Sequence, residues 1–398
     1  MIKPKTWLWK EFNVAGYLRY TSWAIFLFLW LFPLPSRADG KDTIASIVRA
    51  WKDRERQVSS LDCEWSAEIM SGAKTYVYQD EKGMQFAMPN NDLIVNSEYR
   101  FRLKGQNKMR YEFTGPQPIQ ETRSFENREY ISVTDGDQQK SFYGKDNKSD
   151  ENRYPPLGFI NKENALPEMN TIHLRPLLFL YRAFASDIAS TLDLAKFSPK
   201  GNIIIAEREC LLLERIEGGE EKQELVIDMN RECIPLRLRR LLRERSKAED
   251  DWFATSLIEI DYGDRGNGHW RPVGWKTSIL GDGGKVREQM KAIIKKFQIN
   301  ADIPDSVFSF DFPVGSIVRN WKTDEHYLIR SGGEKRYITE AESDARVSYK
   351  SLLTTNTGES LSPRDRSWRA ILLVACGAIL LTWLVLVIYR RIRFVLKS

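Results

Sequence analysis

From residue 60 onward one short strand-forming run follows another, and this repetition limits the possible folds more than any other feature. "LDCEWSAEIM", "KTYVYQ", "SEYRFRL", "KMRYEFTG", "REYISV" and "KSFYG" are rich in aromatic and β-branched residues and separated by Gly, Asn, Asp and Pro. "TDGDQQ", residues 134–139, is a hairpin signal between two of them. Strands resume with "NIIIAERECLLLERI", "QELVIDM", "CIPLRLRRLL", "FATSLIEIDYG", "GWKTSIL" and "VREQMKAIIKKFQI". Regular short strands joined by turns predict an antiparallel meander, hence a sandwich or a barrel.

Two helices interrupt the pattern. "DTIASIVRAWKDRERQV" places Ile44, Ile47, Val48, Trp51 and Val58 on one face, with Asp42 as N-cap. Residues 174–197 read as a second helix, with Pro176 in its first turn and a stripe of Leu177, Tyr181, Phe184, Ile188 and Leu192. Leu178, Phe179 and Leu180 widen that stripe, so its first half is either deeply buried or covers an apolar opening.

The ends set the expected location. Lys3, Lys5, Lys10 and Arg19 precede the apolar run "SWAIFLFLWLF", residues 22–32, and Ser36 and Ala38 follow at cleavage-site spacing. Residues 1–38 therefore read as a signal peptide, an uncleaved anchor being the alternative. Residues 370–389, "AILLVACGAILLTWLVLVIY", are uncharged and long enough to span a bilayer. Arg390, Arg391, Arg393 and Lys397 follow, so the tail 390–398 is expected in the cytoplasm. The main domain, 39–320, then lies on the periplasmic side of the cytoplasmic (inner) membrane. A hairpin, 321–340, and a polar stalk, 341–367, follow it. Residues 1–38 and the tail each carry +4 of the chain's +6, which leaves about −2 for the rest. No basic footprint remains for nucleic acid.

Catalytic constellations are scarce. His173, His269 and His326 are widely spaced, and there is no GxSxG, HExxH or phosphate-cradling GxxxxGK[ST]. "GDRGNGH", residues 263–269, joins two strands and lacks the helix N-terminus of a phosphate loop. "TDGDQQ" lacks the further ligands of a calcium loop. Asp135 with Asp137, and Glu249 with Asp250 and Asp251, read as solvated loop acids. Arg237, Arg239, Arg240, Arg243 and Arg245 could meet an anionic lipid, but with Glu244, Glu249 and Asp250 nearby they read as a charged outer strand face. No enzyme, metal or cofactor is expected. Cys63, Cys210 and Cys233 are the cysteines outside the apolar run, and Cys210 with Cys233 is the pair nearest in sequence for a disulfide.

"INADIPDSVFSFDFPVGSIV", residues 299–318, puts Phe308, Phe310 and Phe312 two apart, as on one face of a strand. This ending resembles the LolA-like, LppX-like group of exported lipoprotein carriers and lipid-binding proteins. The matching positions are Asn300, Pro304, Asp305, Phe308, Phe310, Pro313 and Gly315. The order of a leading amphipathic helix, a meander and a helical insertion resembles that group too. The resemblance implies an α+β fold, an antiparallel incomplete β-barrel with covering helices, whose concave face takes lipid or lipoprotein acyl chains. On that expectation Phe308, Phe310, Phe312, Trp65, Tyr76 and Tyr78 line the site, and Leu177, Leu180, Tyr181 and Phe184 form a lid. Burial would drive binding at about 0.8 kcal/mol per CH₂. The chain departs from the carriers in its length, its added hairpin and its C-terminal anchor. A filled half-barrel that engages another envelope protein is the alternative.

Overall fold

A computed structural model describes residues 40–79, 84–119, 123–144, 155–161, 171–184, 192–243, 252–264, 270–345 and 347–354. The helices are α1 (Gly40–Gln57), α2 (Thr171–Tyr181), α3 (Glu340–Asp344) and α4 (Tyr349–Thr354). The first strands are β1 (Ser60–Ser71), β2 (Tyr76–Gln79), β3 (Gln85–Met88), β4 (Leu93–Lys104), β5 (Lys108–Ile119), β6 (Ser124–Thr134), β7 (Gln139–Tyr143) and β8 (Leu157–Asn161). After α2 come β9 (Ser198–Ile205), β10 (Arg208–Glu217), β11 (Glu221–Asp228), β12 (Ile234–Arg243), β13 (Trp252–Asp264), β14 (Trp270–Leu280) and β15 (Val286–Ile299). The last three are β16 (Ile317–Asn320), β17 (Glu325–Ile329) and β18 (Lys335–Tyr337).

All but β2 and β3 join one 16-stranded sheet, ordered β18-β17-β16-β8-β7-β6-β5-β4-β1-β15-β14-β13-β12-β11-β10-β9. Its two edges do not meet, so the barrel is incomplete. Every described pairing is antiparallel except β8 with β16. The first meander, β4 to β8, and the second, β9 to β15, are fused by β1, which pairs with β4 on one side and β15 on the other.

Alternation sets the two faces of this sheet. Along β1, Leu61, Cys63, Trp65, Ala67 and Ile69 turn inward and are buried in the main core. Asp62 and Glu64 turn outward and meet Arg100 and Lys296, with Lys296 Nζ 2.7 Å from Asp62. Burial alone would raise the Asp62 carboxyl, but its hydrogen bonds to Arg100 and Lys296 hold it below the usual value. The inward residues of both meanders join one hydrophobic cluster with α1 and α2, so the sheet curves around these helices.

Helix α1 buries Ile47 and Trp51 completely, as its stripe requires, and Trp51 Nε1 donates to the Cys233 carbonyl at 2.6 Å. Arg54 and Arg56 occupy its last turn, where they complement the helix dipole. Helix α2 starts three residues earlier than the sequence predicts and stops at Tyr181, and Leu194–Lys196 form a separate 3-10 turn. Leu174, Leu177, Leu178, Phe179, Leu180 and Tyr181 are all buried. Buried Arg182 then fastens the helix end to the sheet, donating to the carbonyls of Gly105 and Val58.

The stretch with three phenylalanines is not a strand. Asp305–Phe308 form a 3-10 turn, Ser309 is extended, and residues 309–313 carry no strand pairing. Residues 301–313 cross the outside of the sheet as a strap that carries the chain from β15 near the centre to β16 beyond β8. Lys104 donates to the Ile303 carbonyl, Arg110 to that of Val307 and Lys140 to that of Phe310. Phe308, 1 % exposed, packs on Val133. Phe310 meets Phe142 at 6.4 Å, and Phe312 packs with Ile160, Val318 and Tyr327. A Cβ on Gly158 would lie 2.6 Å from the Phe312 ring, so a larger residue there would force that ring to shift. Asn300, at positive φ, starts the strap; its side chain accepts from Ser59 N at 2.8 Å and donates to the Gln57 carbonyl.

Three further expectations change. The hairpin at 325–339 is not a separate unit, because β16 pairs with both β8 and β17 and extends the sheet. Part of the expected stalk is folded, with α3 capped by Thr339 and the Tyr349 hydroxyl on α4 donating to the Gly315 carbonyl at 2.7 Å. Cys210 and Cys233 are not bonded; both are free thiols. Leu211 of β10 and Ile234 of β12 pair with Ile227 and Asp228 from opposite sides of β11, so a strand separates the segments that carry the two cysteines. The apolar runs 22–32 and 370–389 lie outside the described residues. Among the described residues no helix is long and apolar enough to cross a membrane.

Candidate functional site

Aromatic rings run across the inner face from strand to strand. Trp275 on β14 lies 5.1 Å from Trp65 on β1, and the small side chain of Ala292 on the strand between lets the two indoles touch. Trp65 stacks on Tyr99 of β4 at 5.1 Å. Tyr99 meets Phe113 and Tyr111 of β5, Tyr111 meets Tyr130 of β6, and Tyr130 lies 4.7 Å from Tyr143 of β7. Phe159 of β8 closes the series at 6.0 Å from Tyr143. These contacts follow from register: Tyr99 pairs with Phe113, Phe113 with Tyr130, and Tyr130 with Tyr143.

The two ends of this row differ. Around Trp65 the inner face is filled by α2, whose His173 ring lies 6.0 Å from Tyr99. His173 keeps some exposure, but its Nδ1 is enclosed without a partner, and burial lowers its pKa to about 4. Toward β8 a cavity of about 440 Å³ opens, lined by Arg128, Tyr130, Ser141, Tyr143, Leu157, Phe159 and Asn161. That volume is within the range of small-ligand pockets. Burial raises the Tyr143 hydroxyl, and a hydrogen bond with Tyr130 lowers it only in part, so the ring stays neutral.

Register grades the cavity along the strands. Asn161 forms its polar end, backed by buried Thr134 and Gln139 of the same register row, and Ser141 and Phe159 come next. Tyr130, Tyr143 and Leu157 form the apolar middle, and Arg128 lies beyond them on β6. Such a surface can hold an apolar chain against the rings and a polar group at one end. A second cavity, about 390 Å³, lies beside α1 and the end of β15. Its lining includes Asp53, Arg54 and Glu232, which suits it poorly to an apolar guest.

The residues expected to line one site are dispersed. Trp65 is on the inner face, fully buried. Phe308, Phe310 and Phe312 are on the outer face. Tyr76 and Tyr78 lie on the separate β2–β3 hairpin, where the Tyr76 hydroxyl donates to Glu288 at 2.5 Å and Tyr78 meets Phe86. Leu177, Leu180 and Tyr181 fill the core rather than roof an opening, and Phe184 packs half-buried against Trp51 at 6.5 Å. Sequence reading missed Tyr130, Ser141, Tyr143, Leu157, Phe159 and Asn161. The alternation in "REYISV" and "KSFYG" carried part of that signal. The arginine run is absorbed in part by acids, with Arg239 on Glu224 and Arg240 on Glu221. Among the described residues no cluster of three or more His, Cys, Asp or Glu side chains could hold a metal.

No family model matches the chain, and no curated protein sequence does. Solved structures do. A domain described as an outer membrane lipoprotein-sorting protein, from Vibrio parahaemolyticus, is 10% identical at TM-score 0.39, covering 68% of this chain and 97% of that one. A LolA superfamily protein from Nitrosomonas europaea is 12% identical at TM-score 0.34, covering 68% and 98%. The Pseudomonas aeruginosa MucA/MucB complex gives 10% identity and TM-score 0.24, covering 67% and 61%. At these scores the likeness names neighbours of the fold and nothing of the site. Over about two thirds of its length the chain is similar in fold to a solved lipoprotein-sorting protein domain and a solved LolA superfamily protein.

Proposed function

We propose that the chain is a cell-envelope protein that binds a lipid or the acyl part of a lipoprotein on the inner face of its open sheet. The single observation that carries this reading is the row of rings from Trp65 to Phe159, which leaves the core and continues into the cavity beside Tyr143. Apolar surface of this kind gains about 25 cal/mol for each Å² removed from water. The cavity takes over the role that the sequence assigned to Phe308, Phe310 and Phe312. Binding rather than catalysis is its chemistry. Residues 370–389 would anchor the chain in the cytoplasmic membrane, and residues 1–38 would export the domain to the periplasmic side.

The filled half beneath α2 favours a second reading, an interaction module for another envelope protein. One experiment separates the two. Native mass spectrometry of the purified full chain is expected to show co-purified lipid, and Phe159→Asp is expected to abolish it with the circular dichroism unchanged. A lipid-free protein that also shows no saturable binding of a fluorescent fatty acid would replace the lipid reading with the interaction one.

A further inference from the structure

The strands beyond β8 place an unpaired cation beside the cavity. Parallel pairing sets Leu157 opposite Ile317 and Phe159 opposite Arg319, and Arg319 in turn faces His326 of β17. Leu157 and Phe159 line the cavity, whereas Gly158 and Val318 turn outward to Phe312 of the strap. Arg319 and His326 therefore stand on the inner face, one and two strands beyond the Phe159 wall, in steps of about 5 Å. Asn161, at the polar end of the cavity, is two residues along β8 from Phe159 and on the same face.

The Arg319 guanidinium carbon lies 3.6 Å from the centre of the Trp321 ring. Both side chains are exposed. Stacking occupies the face of the planar group and leaves its N–H edge open to an acceptor. Among the described residues no carboxylate pairs with Arg319. Glu325, the acid next to His326, turns to the outer face with Asn320 and accepts from the Thr323 hydroxyl at 2.8 Å. His326 is half-buried, and burial together with the Arg319 charge lowers its pKa. The ring is thus neutral near neutral pH and carries one N–H. An arginine fork takes a carboxylate or a phosphate in two parallel bonds. A phosphate then keeps a third oxygen, turned out of that plane, for a donor on the next strand; a carboxylate has none.

We infer that Arg319, with the His326 ring N–H, holds a phosphate group at the rim of the cavity. Free phosphate and the head group of a phosphate-bearing amphiphile present the same chemistry, and only the second source rests on the lipid reading. The test has two arms, both on the full chain in non-ionic detergent near neutral pH. The chain has three histidines, so nitrogen-labelled ring spectra resolve His326, assigned with His326→Gln. Inorganic phosphate is expected to move the His326 signal saturably, while chloride at equal ionic strength leaves it in place. In the second arm hexadecyl phosphate and hexadecyl glycerol ether are offered in equal amounts. Retained lipid is counted by mass spectrometry against the ratio in protein-free micelles.

Hexadecyl phosphate is expected to be enriched about 10-fold, as one charge-assisted fork allows. In Arg319→Gln the signal movement and the enrichment should both vanish with the circular dichroism unchanged. Arg319→Lys, which keeps the charge without the fork, should weaken both. Movement without enrichment assigns the site to free phosphate, and enrichment without movement assigns it to phosphate borne by a lipid. Effects that are absent, or that persist in Arg319→Gln, would overturn the site. Retention of the ether reports on the lipid reading by itself. Retention of neither lipid, with His326 still moved by phosphate, would overturn that reading and leave the phosphate site standing.

Discussion

The two wings of the sheet are sealed on opposite faces. From β9 to β15 the inner face is packed by α1 and α2, and Trp275, Ile258 and Leu213 are buried there. Its outer face carries charge, with Arg237, Glu259, Lys276 and Lys291 in one register row. From β6 to β8 the outer face is apolar and closed by the strap, while the inner face opens into a cavity. A sheet needs one apolar face covered to be stable, and the chain supplies helices to one wing and the strap to the other. The difference separates aromatic rows that hold the fold from the row that can take a guest.

Four predictions probe that contrast, from the largest effect to the smallest. Trp65→Ala should cost about 4 kcal/mol in urea unfolding, since it empties the centre of the filled half. A loss of lipid without loss of stability would move the site to that half and break the comparison. Phe308→Ala should cost about 3 kcal/mol and leave lipid retention per folded molecule unchanged. If it instead removed lipid from a stable protein, the strap would belong to the site.

Acid should loosen the filled half. His173 has a folded pKa of about 4 against 6.5 when free, so the unfolded chain binds its proton first. Stability is then complete above about pH 6.5 and falls until about pH 4, by on the order of 3 kcal/mol. His173→Phe should flatten that part of the stability–pH curve; an unchanged slope would mean that the ring is hydrated. The smallest effect concerns the cysteines. Reducing agent should leave the melting temperature unmoved, and alkylation of the unfolded, unreduced chain should label Cys63, Cys210 and Cys233. A protected pair in the peptide map would contradict the separation of Cys210 and Cys233 across β11.

Much of the fold was legible. The strand runs, the leading helix and the 134–139 turn depend on neighbours in sequence, where period and turn chemistry act. Asp135 illustrates this, its carboxylate accepting from the backbone of Asp137 and Gln138 within the turn. The candidate site was legible only in fragments. Tyr130 and Tyr143 lie on recognised strands, but their opposition is a matter of register between strands. Phe159 and Asn161 join them only because β8 pairs with β7.

The phenylalanine row marks the boundary most sharply. By itself the sequence determined that Phe308, Phe310 and Phe312 need burial, while the strand that alternation predicts for them does not form and Phe308 closes a 3-10 turn. Only the tertiary structure decided which surface buries them. Backbone ladder pairing makes an extended segment a strand, and residues 309–313 pair with no strand. Their faces are set by crossing over β6, β7 and β8 from outside, and that crossing depends on β16 pairing with a strand more than 150 residues earlier. The phenylalanine row is therefore part of the fold and not of the cavity. The surface left for a ligand is the one that neither it nor α2 covers.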